Sequence, residues 1–523
     1  MKMGNKKVCR EIIEELMVLD SLDDKIIDEI AKKIAKKHGL SDIPNKVDIL
    51  RSCKESESEK LKKYLQTKPS RSISGVSVIT VVAKPAPCPG KCIYCPKGAN
   101  APKSYTGMEP AIQRGIRNNY DPLRQTKDRL NQYKLTGHPS DKIEVIIIGG
   151  TFPALEKNYQ NWFVKCIFDA LNGKESKTLL EAQKLNESAE HRCVGLTIET
   201  RPDYCFKEHI NQMLELGTTR VEIGVQSVYD EVLEKVKRGH DVKAVVRATK
   251  LAKDSGLKVT YHMMPGLFTD FNKDLEQFKV LFSDDRFKPD SLKIYPVLVI
   301  PETELYELWK KGEYKPINTE EGTKLICEAM KHIPKYCRVI RVQRDIPNNK
   351  VAAGIDKSNL RELVEKECER GGVRIQEIRY REVGHKMAKG VIPDPDKIKL
   401  CRMDYDASGG KEVFLSFEDV KNDVLFGFIR LRIPSEPFRK EIDNKTGLIR
   451  ELHVYGSAVQ IGKKKENAWQ HKGFGMKLLQ EVERIAKEEF SVKKMVVISG
   501  VGVRPYYYRL GYKVDGIYVS KFL

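Results

Sequence analysis

From Val76 to about Trp309 the chain alternates short apolar runs with amphipathic ones, and this rhythm limits its fold more than any other feature. The apolar runs fall at 76–82, 143–148, 194–199, 219–225, 258–264 and 291–297. Each has the length of a strand, and intervening stretches such as 206–216, 241–255 and 272–282 carry apolar residues at helical spacing. Strands linked through helices lie parallel with the helices outside, so six such units predict an α/β sheet. Sites in such folds gather at the carboxyl ends of the strands. Candidate polar residues fall there. Gly149-Gly150-Thr151-Phe152 follows the second run, and Glu199 and Arg201 end the third. Gln226 ends the fourth, His262 lies late in the fifth, and Lys293 and Tyr295 lie in the sixth.

Directly after the first run comes Cys88-Pro-Gly-Lys-Cys92-Ile-Tyr-Cys95, spaced C-x3-C-x2-C. Thiolates are the ligands of iron–sulfur clusters, and this spacing lets one loop present three of them to one cube. The fourth iron is then left for a small chelating ligand. From the residues alone, a three-cysteine zinc site lacking a fourth ligand, or chance, stays open; the next histidine is the distant His138. The spacing, with Tyr94 before the last cysteine, resembles the signature of radical-SAM enzymes. That family has an open, partial (β/α)6 barrel, a 4Fe–4S cluster and S-adenosylmethionine (SAM). The Gly149-Gly150 pair lets backbone approach a ligand closely, and resembles the strand end that meets the methionine amino group of SAM. Glu199 and Arg201 are candidates for its ribose and carboxylate, or for a structural ion pair, and Gln226 joins the SAM set.

The 523 residues leave room for about three domains. No segment approaches the ~20 apolar residues of a membrane span. The start Met1-Lys-Met-Gly-Asn-Lys-Lys is not that of a secretory signal. A cytoplasmic protein with no membrane partner is expected. The other nine cysteines (Cys9, Cys53, Cys166, Cys193, Cys205, Cys327, Cys337, Cys368, Cys401) show no pairing rhythm, as free thiols in a reducing compartment would. With 93 basic and 73 acidic residues the net charge is +20. A polyanionic partner accounts for that excess; the bland alternative is a general surface bias.

Residues 1–75 read as a helical, basic segment. Ser21 with Asp24 suggests an N-cap and an acidic first turn; Ile26, Ile27, Ile30, Ile34 and Ala35 form the apolar face, and Gly39 ends it. Lys32, Lys33, Lys36 and Lys37, then Lys60, Lys62, Lys63, Lys68 and Arg71, form a charge run of the kind that is usually a solvated helix face; the family resemblance drawn below implies a tRNA-binding surface instead. Arg114, Arg117, Arg124, Lys127 and Arg129 form a second basic group. The radical-SAM domain is placed at 76–315, a connecting region with helices near 319–332 and 357–370 at 316–390, and a third domain at 391–523. There, strands at 411–417, 424–432 and 448–455 precede a helix near 472–488, a strand at 495–499, a short helix near 504–509 and a final strand. Gln470-His-Lys-Gly473-Phe-Gly475 opens the long helix. Backbone N–H groups at a helix start favour phosphate. Arg504-Pro-Tyr506-Tyr507-Tyr508 lies downstream. The order and these motifs resemble the GNAT acetyltransferases.

A radical-SAM core fused to a GNAT domain resembles the Elongator protein 3 family. Ser104-Tyr-Thr-Gly107, Ile198-Glu-Thr-Arg-Pro-Asp-Tyr-Cys205, Gly224-Val-Gln-Ser227, Val342-Gln-Arg-Asp-Ile-Pro347, Arg450-Glu-Leu-His-Val-Tyr-Gly456 and Phe474-Gly-Met476 carry that resemblance. It implies that the wobble uridine, in the tRNA anticodon stem-loop, gains a carboxymethyl group at carbon 5 from acetyl-CoA. The cluster ligands map onto Cys88, Cys92 and Cys95. The acetyl-CoA contacts map onto Lys142, Glu451, Leu452, His453, Val454, Phe474, Gly475, Met476 and Tyr507. Lys142, Tyr506 and Tyr507 are the catalytic candidates. A zinc-binding run of many relatives is replaced here by Ile375, Glu377 and Tyr380 before Arg381-Glu-Val, so no zinc site is expected. The implied chemistry is a SAM-derived radical that takes hydrogen from the acetyl methyl group, followed by addition to the uracil ring and thioester hydrolysis. Protein lysine acetylation with a structural cluster is the rival reading, and whether Glu451 could serve as its base is left open. So is whether the chain works alone, as a homo-oligomer or with Elongator-like partners.

Overall fold

The computed structural model describes residues 3–19, 21–40, 42–67, 72–456 and 473–523. Helices α1 (Met3–Val18), α2 (Asp24–Lys37), α3 (Lys46–Ser52) and α4 (Glu55–Leu65) close around their own apolar centre of Ile12, Leu16, Ile27, Ile34, Leu61 and Leu65. The α2 cap is Asp23, whose carboxylate accepts from the Ile26 N–H, rather than Ser21. Side-chain oxygen one residue before the helix reaches the free N–H groups of its first turn, and Ser21 stands too far back. Lys32, Lys33, Lys36 and Lys37 lie on the exposed side, with Lys33 and Lys37 paired to Glu15 and Glu11. Lys68 and Arg71 lie outside the described residues.

The first sheet has strands β1 (Ser77–Val82), β2 (Lys142–Ile148), β3 (Arg192–Thr200), β4 (Arg220–Gln226), β5 (Lys258–Met263), β6 (Ser291–Ile294) and β7 (Arg338–Val342), in sequence order and all parallel. It is a partial barrel of seven strands, not six. β7 pairs with β6 and comes from the segment 316–390, so that segment completes the barrel rather than merely connecting it. Its Arg-Val-Ile-Arg-Val is too short and too charged to stand out as an apolar run.

The second sheet runs β13 (Lys513–Asp515), β14 (Tyr518–Phe522), β12 (Lys494–Val497), β11 (Thr446–Val454), β10 (Val424–Ile433), β9 (Gly410–Asp419), β8 (Ile398–Ala407). β8 was not legible as a strand because this edge strand alternates Lys399, Arg402, Asp404 and Asp406 with its apolar residues. Among the described residues of this sheet only β11 and β12 pair in parallel, from Thr446↔Lys494 to Ile449↔Val497. Beyond Ile449 the register with β12 ends, and a bulge between Arg430 and Leu431 shifts β10 against β11 at the same level. The two parallel strands therefore part at Arg450, with the helix Phe474–Phe490 beside them.

The two sheets share one apolar core that runs from Ile79 and Ile147 to Phe414, Phe428 and Tyr518. Across the junction Arg450 donates to both oxygens of Asp290 at 2.7 and 2.6 Å and to Glu412 at 2.9 Å. Arg432 joins Glu412 to Asp254, and Lys253 sits 3.9 Å from Asp290, all fully buried. Cys327 and Cys368, on the helices Thr319–Met330 and Leu360–Arg370, meet with sulfurs 2.7 Å apart, a neighbourhood their sequence spacing did not signal. Among the described residues no helix is long and apolar enough to cross a membrane.

Candidate active sites at the two ends of the barrel

The cysteine loop leaves the carboxyl end of β1. Cys88 Sγ accepts from the Gly90 N–H at 3.4 Å and lies 3.7 Å from the Thr151 hydroxyl. Cys92 Sγ receives the Arg238 guanidinium at 3.5 Å. A hydrogen bond from Cys95, reinforced by the charge of Arg238, holds the Cys92 thiol well below the usual range, as a metal-ligating thiolate requires. Gly90 has no room for a side chain: a Cβ there would run into Arg201. Arg201 grips Asp203 through two bonds of 2.9 Å, while its Nη1 is buried without a hydrogen-bond partner. Arg238 Nε is orphaned likewise. Two buried guanidiniums with unsatisfied N–H groups beside three thiols fit an anionic thiolate-bound cluster, which would complete their bonding. His138 has no part in it: its ring bonds to Gln66, Ser72 and the Thr67 carbonyl.

Inside the barrel, at the same end, lies a chamber of about 190 Å³. Tyr94, Tyr105, Glu199, Gln226, His262 and Lys293 are among its walls. Gln226 ends β4 with φ +72°, in the left-handed region, and its side-chain carbonyl has no partner. Gly149 and Gly150 (φ +131° and +68°) turn the chain at the end of β2 next to Thr151, on the cysteine-loop side of this chamber. Of the SAM candidates, Glu199 and Gln226 face the chamber, whereas Arg201 is not among its walls and bonds to Asp203. Glu199 and Arg201 do not pair with each other: Arg201 bonds to Asp203 and Glu199 to Lys293. Glu222 was missed by the sequence reading. It is fully buried and bonds to Lys293 and to His262 Nε2 at 3.0 Å.

The second cavity, about 1080 Å³, opens where β11 and β12 part. On one side it is lined by Glu451–Val454, Gly473, Gly475, Met476, Ser499 and Tyr506–Arg509. On the other it is lined by Val76, Lys142, Arg192, Thr219 and Lys258, which stand at the amino ends of β1 to β5. Lys142, Tyr506, Tyr507 and most acetyl-CoA candidates therefore share one cleft. Phe474 is the exception. Its ring packs on Phe417 and Phe426 in the core, leaving only its backbone toward the cleft. Burial lowers the Lys142 pKa and raises that of Tyr507. Glu451 bonds to Arg430 at 2.9 Å and Lys258 at 3.4 Å; burial opposes its ionisation, but those two cations win and hold it at about 2. Gly473 caps the long helix with φ +76°, and Gln470, His471 and Lys472 of the predicted phosphate loop lie outside the described residues. Glu377 is a helix cap, accepting the Arg379 and Tyr380 N–H groups.

Fold and cysteine loop together define a radical-SAM protein. The family model of the Radical SAM superfamily matches residues 87–281, the Radical_SAM C-terminal domain 289–370 and the ELP3 N-terminal domain 5–73. A tRNA uridine(34) acetyltransferase of Methanocaldococcus jannaschii is 53% identical, over 99% of this chain and 97% of its own. The Elongator complex protein 3 of Homo sapiens is 45% identical, over 95% and 93%. A solved structure of Methanocaldococcus infernus Elp3 with residues 1–46 deleted is 53% identical, with TM-score 0.78, over 86% of this chain and 100% of that one. The chain belongs to the Elongator protein 3 family. Its cofactors are a 4Fe–4S cluster and SAM.

Proposed function

We propose that this chain joins the two-carbon unit of acetyl-CoA to carbon 5 of uridine 34 in the tRNA anticodon stem-loop, leaving a carboxymethyl group. One observation carries the reading: a single barrel serves a cysteine loop and chamber at its carboxyl end and, at its amino end, a cleft that gathers Lys142, Glu451–Val454, Gly475 and Tyr507. The relatives' names agree. Cys88, Cys92 and Cys95 hold the cluster; Gly149, Gly150, Glu199 and Gln226 receive SAM. When bound, these cofactors supply one-electron chemistry able to take a hydrogen atom from a methyl group. In the cleft, the parted edge of β11 at Glu451–Val454 offers backbone groups to the pantetheine arm. The first turn at Gly475 and Met476 takes the pyrophosphate. Lys142, Tyr506 and Tyr507 sit at the thioester.

Acetyl-CoA labelled in its acetyl group tests the reading: the label should pass to uridine 34 in a SAM-dependent way. Label found on protein lysines instead would overturn it. A free carboxylate beside the acyl group would favour that rival, and Glu451 is not free, being bonded to Arg430 and Lys258. Segment 1–75 binds the tRNA through its exposed lysines, joined by Arg117, Arg124 and Lys127. Arg114 has no such role, being buried with its guanidinium on the Thr80 carbonyl. Arg129 is half-buried and stacks on Tyr133. The chain works in the cytoplasm, where thiols stay reduced.

A further inference from the structure

The floor of the chamber is ionic. On neighbouring strands, Glu199 stands opposite Glu222, and His262 opposite Lys293. Lys293 Nζ lies between the two carboxylates, bonding to Glu222 and, at 3.1 Å, to Glu199. Glu222 also takes His262 Nε2 at 3.0 Å and meets Arg220 at 3.5 Å. Carboxylate and imidazole atoms of Glu199, Glu222 and His262 lie within 4.8 Å of one another, a spacing that would suit a metal ion, but the Lys293 ammonium already supplies the cation.

Joining a carbon radical to carbon 5 of uracil leaves that carbon with its hydrogen and puts the unpaired electron on carbon 6. Restoring the ring double bond expels the hydrogen as a proton and the electron to a one-electron acceptor of the iron–sulfur class. The proton needs a base inside the chamber. Lys293 is held protonated: burial works against its charge, but Glu222 and Glu199 outweigh that. Burial keeps Tyr105 and Tyr295 neutral. Glu222 is fully buried, and Glu199 is bound by Lys293 and the Tyr105 hydroxyl. His262 remains. It lines the cavity, its ring set edge-on to Tyr295. With Nε2–H donated to Glu222, the lone pair is left on Nδ1.

Resting on the function proposed above, we infer that His262 is the catalytic base that takes the carbon-5 proton of the uridine, and that Glu222 is the positioning residue that fixes its tautomer. The carbon–hydrogen bond breaks heterolytically, the proton goes to Nδ1, and its electron pair becomes part of the restored double bond.

The test uses the cluster-loaded full chain, tRNA and acetyl-CoA deuterated in the acetyl group. In His262→Ala and His262→Gln, deuterium should still reach 5′-deoxyadenosine and SAM affinity by equilibrium dialysis should stay within about threefold. Modified uridine should fall about 100-fold or more, as loss of a general base does, with partial rescue of the alanine variant by imidazole. Nitrogen-15 histidine spectra of the unaltered protein should show His262 as the neutral Nε2–H form, and Glu222→Gln should disturb that form. Full uridine modification in both His262 variants, loss of SAM binding, or an imidazolium in the resting protein would each overturn the assignment. If deuterium never reaches 5′-deoxyadenosine even in the unaltered protein, the proposed function fails first and the base falls with it.

Discussion

Lys142 and Ile148 are the first and last residues of β2, and they line different cavities: Lys142 the large cleft, Ile148 the chamber. At ~3.3 Å per residue the two ends stand about 20 Å apart. Between them the barrel interior holds Glu144, Arg220, Glu222, Lys293 and Glu199 in one chain of ion pairs. Parallel barrels usually fill that space with branched apolar layers. A polar, ion-paired interior thus lies between the two cavities.

The cluster prediction concerns Cys92, the thiol that Arg238 touches. Cys92→Ser should abolish the brown iron absorbance and SAM cleavage. Acetyl-CoA binding, which belongs to the other end of the barrel, should persist. A reducible cluster in this variant would refute the ligand assignment.

Gly475 lies in the first helical turn, where an added Cβ would sit 3.1 Å from the Tyr506 hydroxyl and 3.6 Å from Val454. Gly475→Glu adds bulk and a negative charge where a pyrophosphate is expected. Calorimetry should show acetyl-CoA affinity reduced at least tenfold, about 1.4 kcal/mol, with tRNA affinity kept. Equal acetyl-CoA affinity would mean the phosphates bind elsewhere.

Arg450 neutralises Asp290 and Glu412 in the dry junction between the sheets. Arg450→Met takes the nearest cation from two buried carboxylates, leaving Glu412 to Arg432 and Asp290 to the more distant Lys253, which costs up to about 3 kcal/mol. Denaturant unfolding should show that loss; an unchanged midpoint would show that the network is not what joins the sheets.

His453 bonds to the Ser74 carbonyl at 3.2 Å, and its ring lies tilted against that of Tyr455 with centroids 4.2 Å apart. Burial pushes its imidazole down to about 4 from the ordinary 6.5. The unfolded chain therefore takes up the proton first as pH falls, so stability is full above about pH 6.5 and declines toward pH 4. On the order of 2 kcal/mol is at stake, allowing for partial exposure. His453→Gln should flatten melting temperature against pH in that window; an unaltered slope would rule the histidine out.

Lys32 and Lys36 project from the exposed side of α2. Lys32→Glu with Lys36→Glu should weaken tRNA binding and reduce the slope of log affinity against log salt by about 2. Acetyl-CoA affinity should not move. Identical salt slopes would assign those lysines to solvation alone.

The strands, the cysteine loop and the helix-start glycines were legible because each is local: an apolar run, a ligand spacing, a turn that only certain residues allow. Arg114 was misread as a surface group because nothing local distinguishes an arginine that turns inward to the Thr80 carbonyl from one that faces water. Glu222 went unnoticed for a related reason. In Arg220-Val-Glu-Ile the charged residues alternate with apolar ones, which is how a strand with one wet face reads. The period of two tells which residues share a face, not whether that face looks outward or into a barrel. Only the curl of seven strands turned Arg220 and Glu222 inward, and only the parting of β11 from β12 against the barrel's amino end brought Lys142 and Tyr507 into one cleft. The sequence by itself determined the elements and their chemistry; which groups meet was decided by closure of the sheets, because charges buried together must find partners across distant strands.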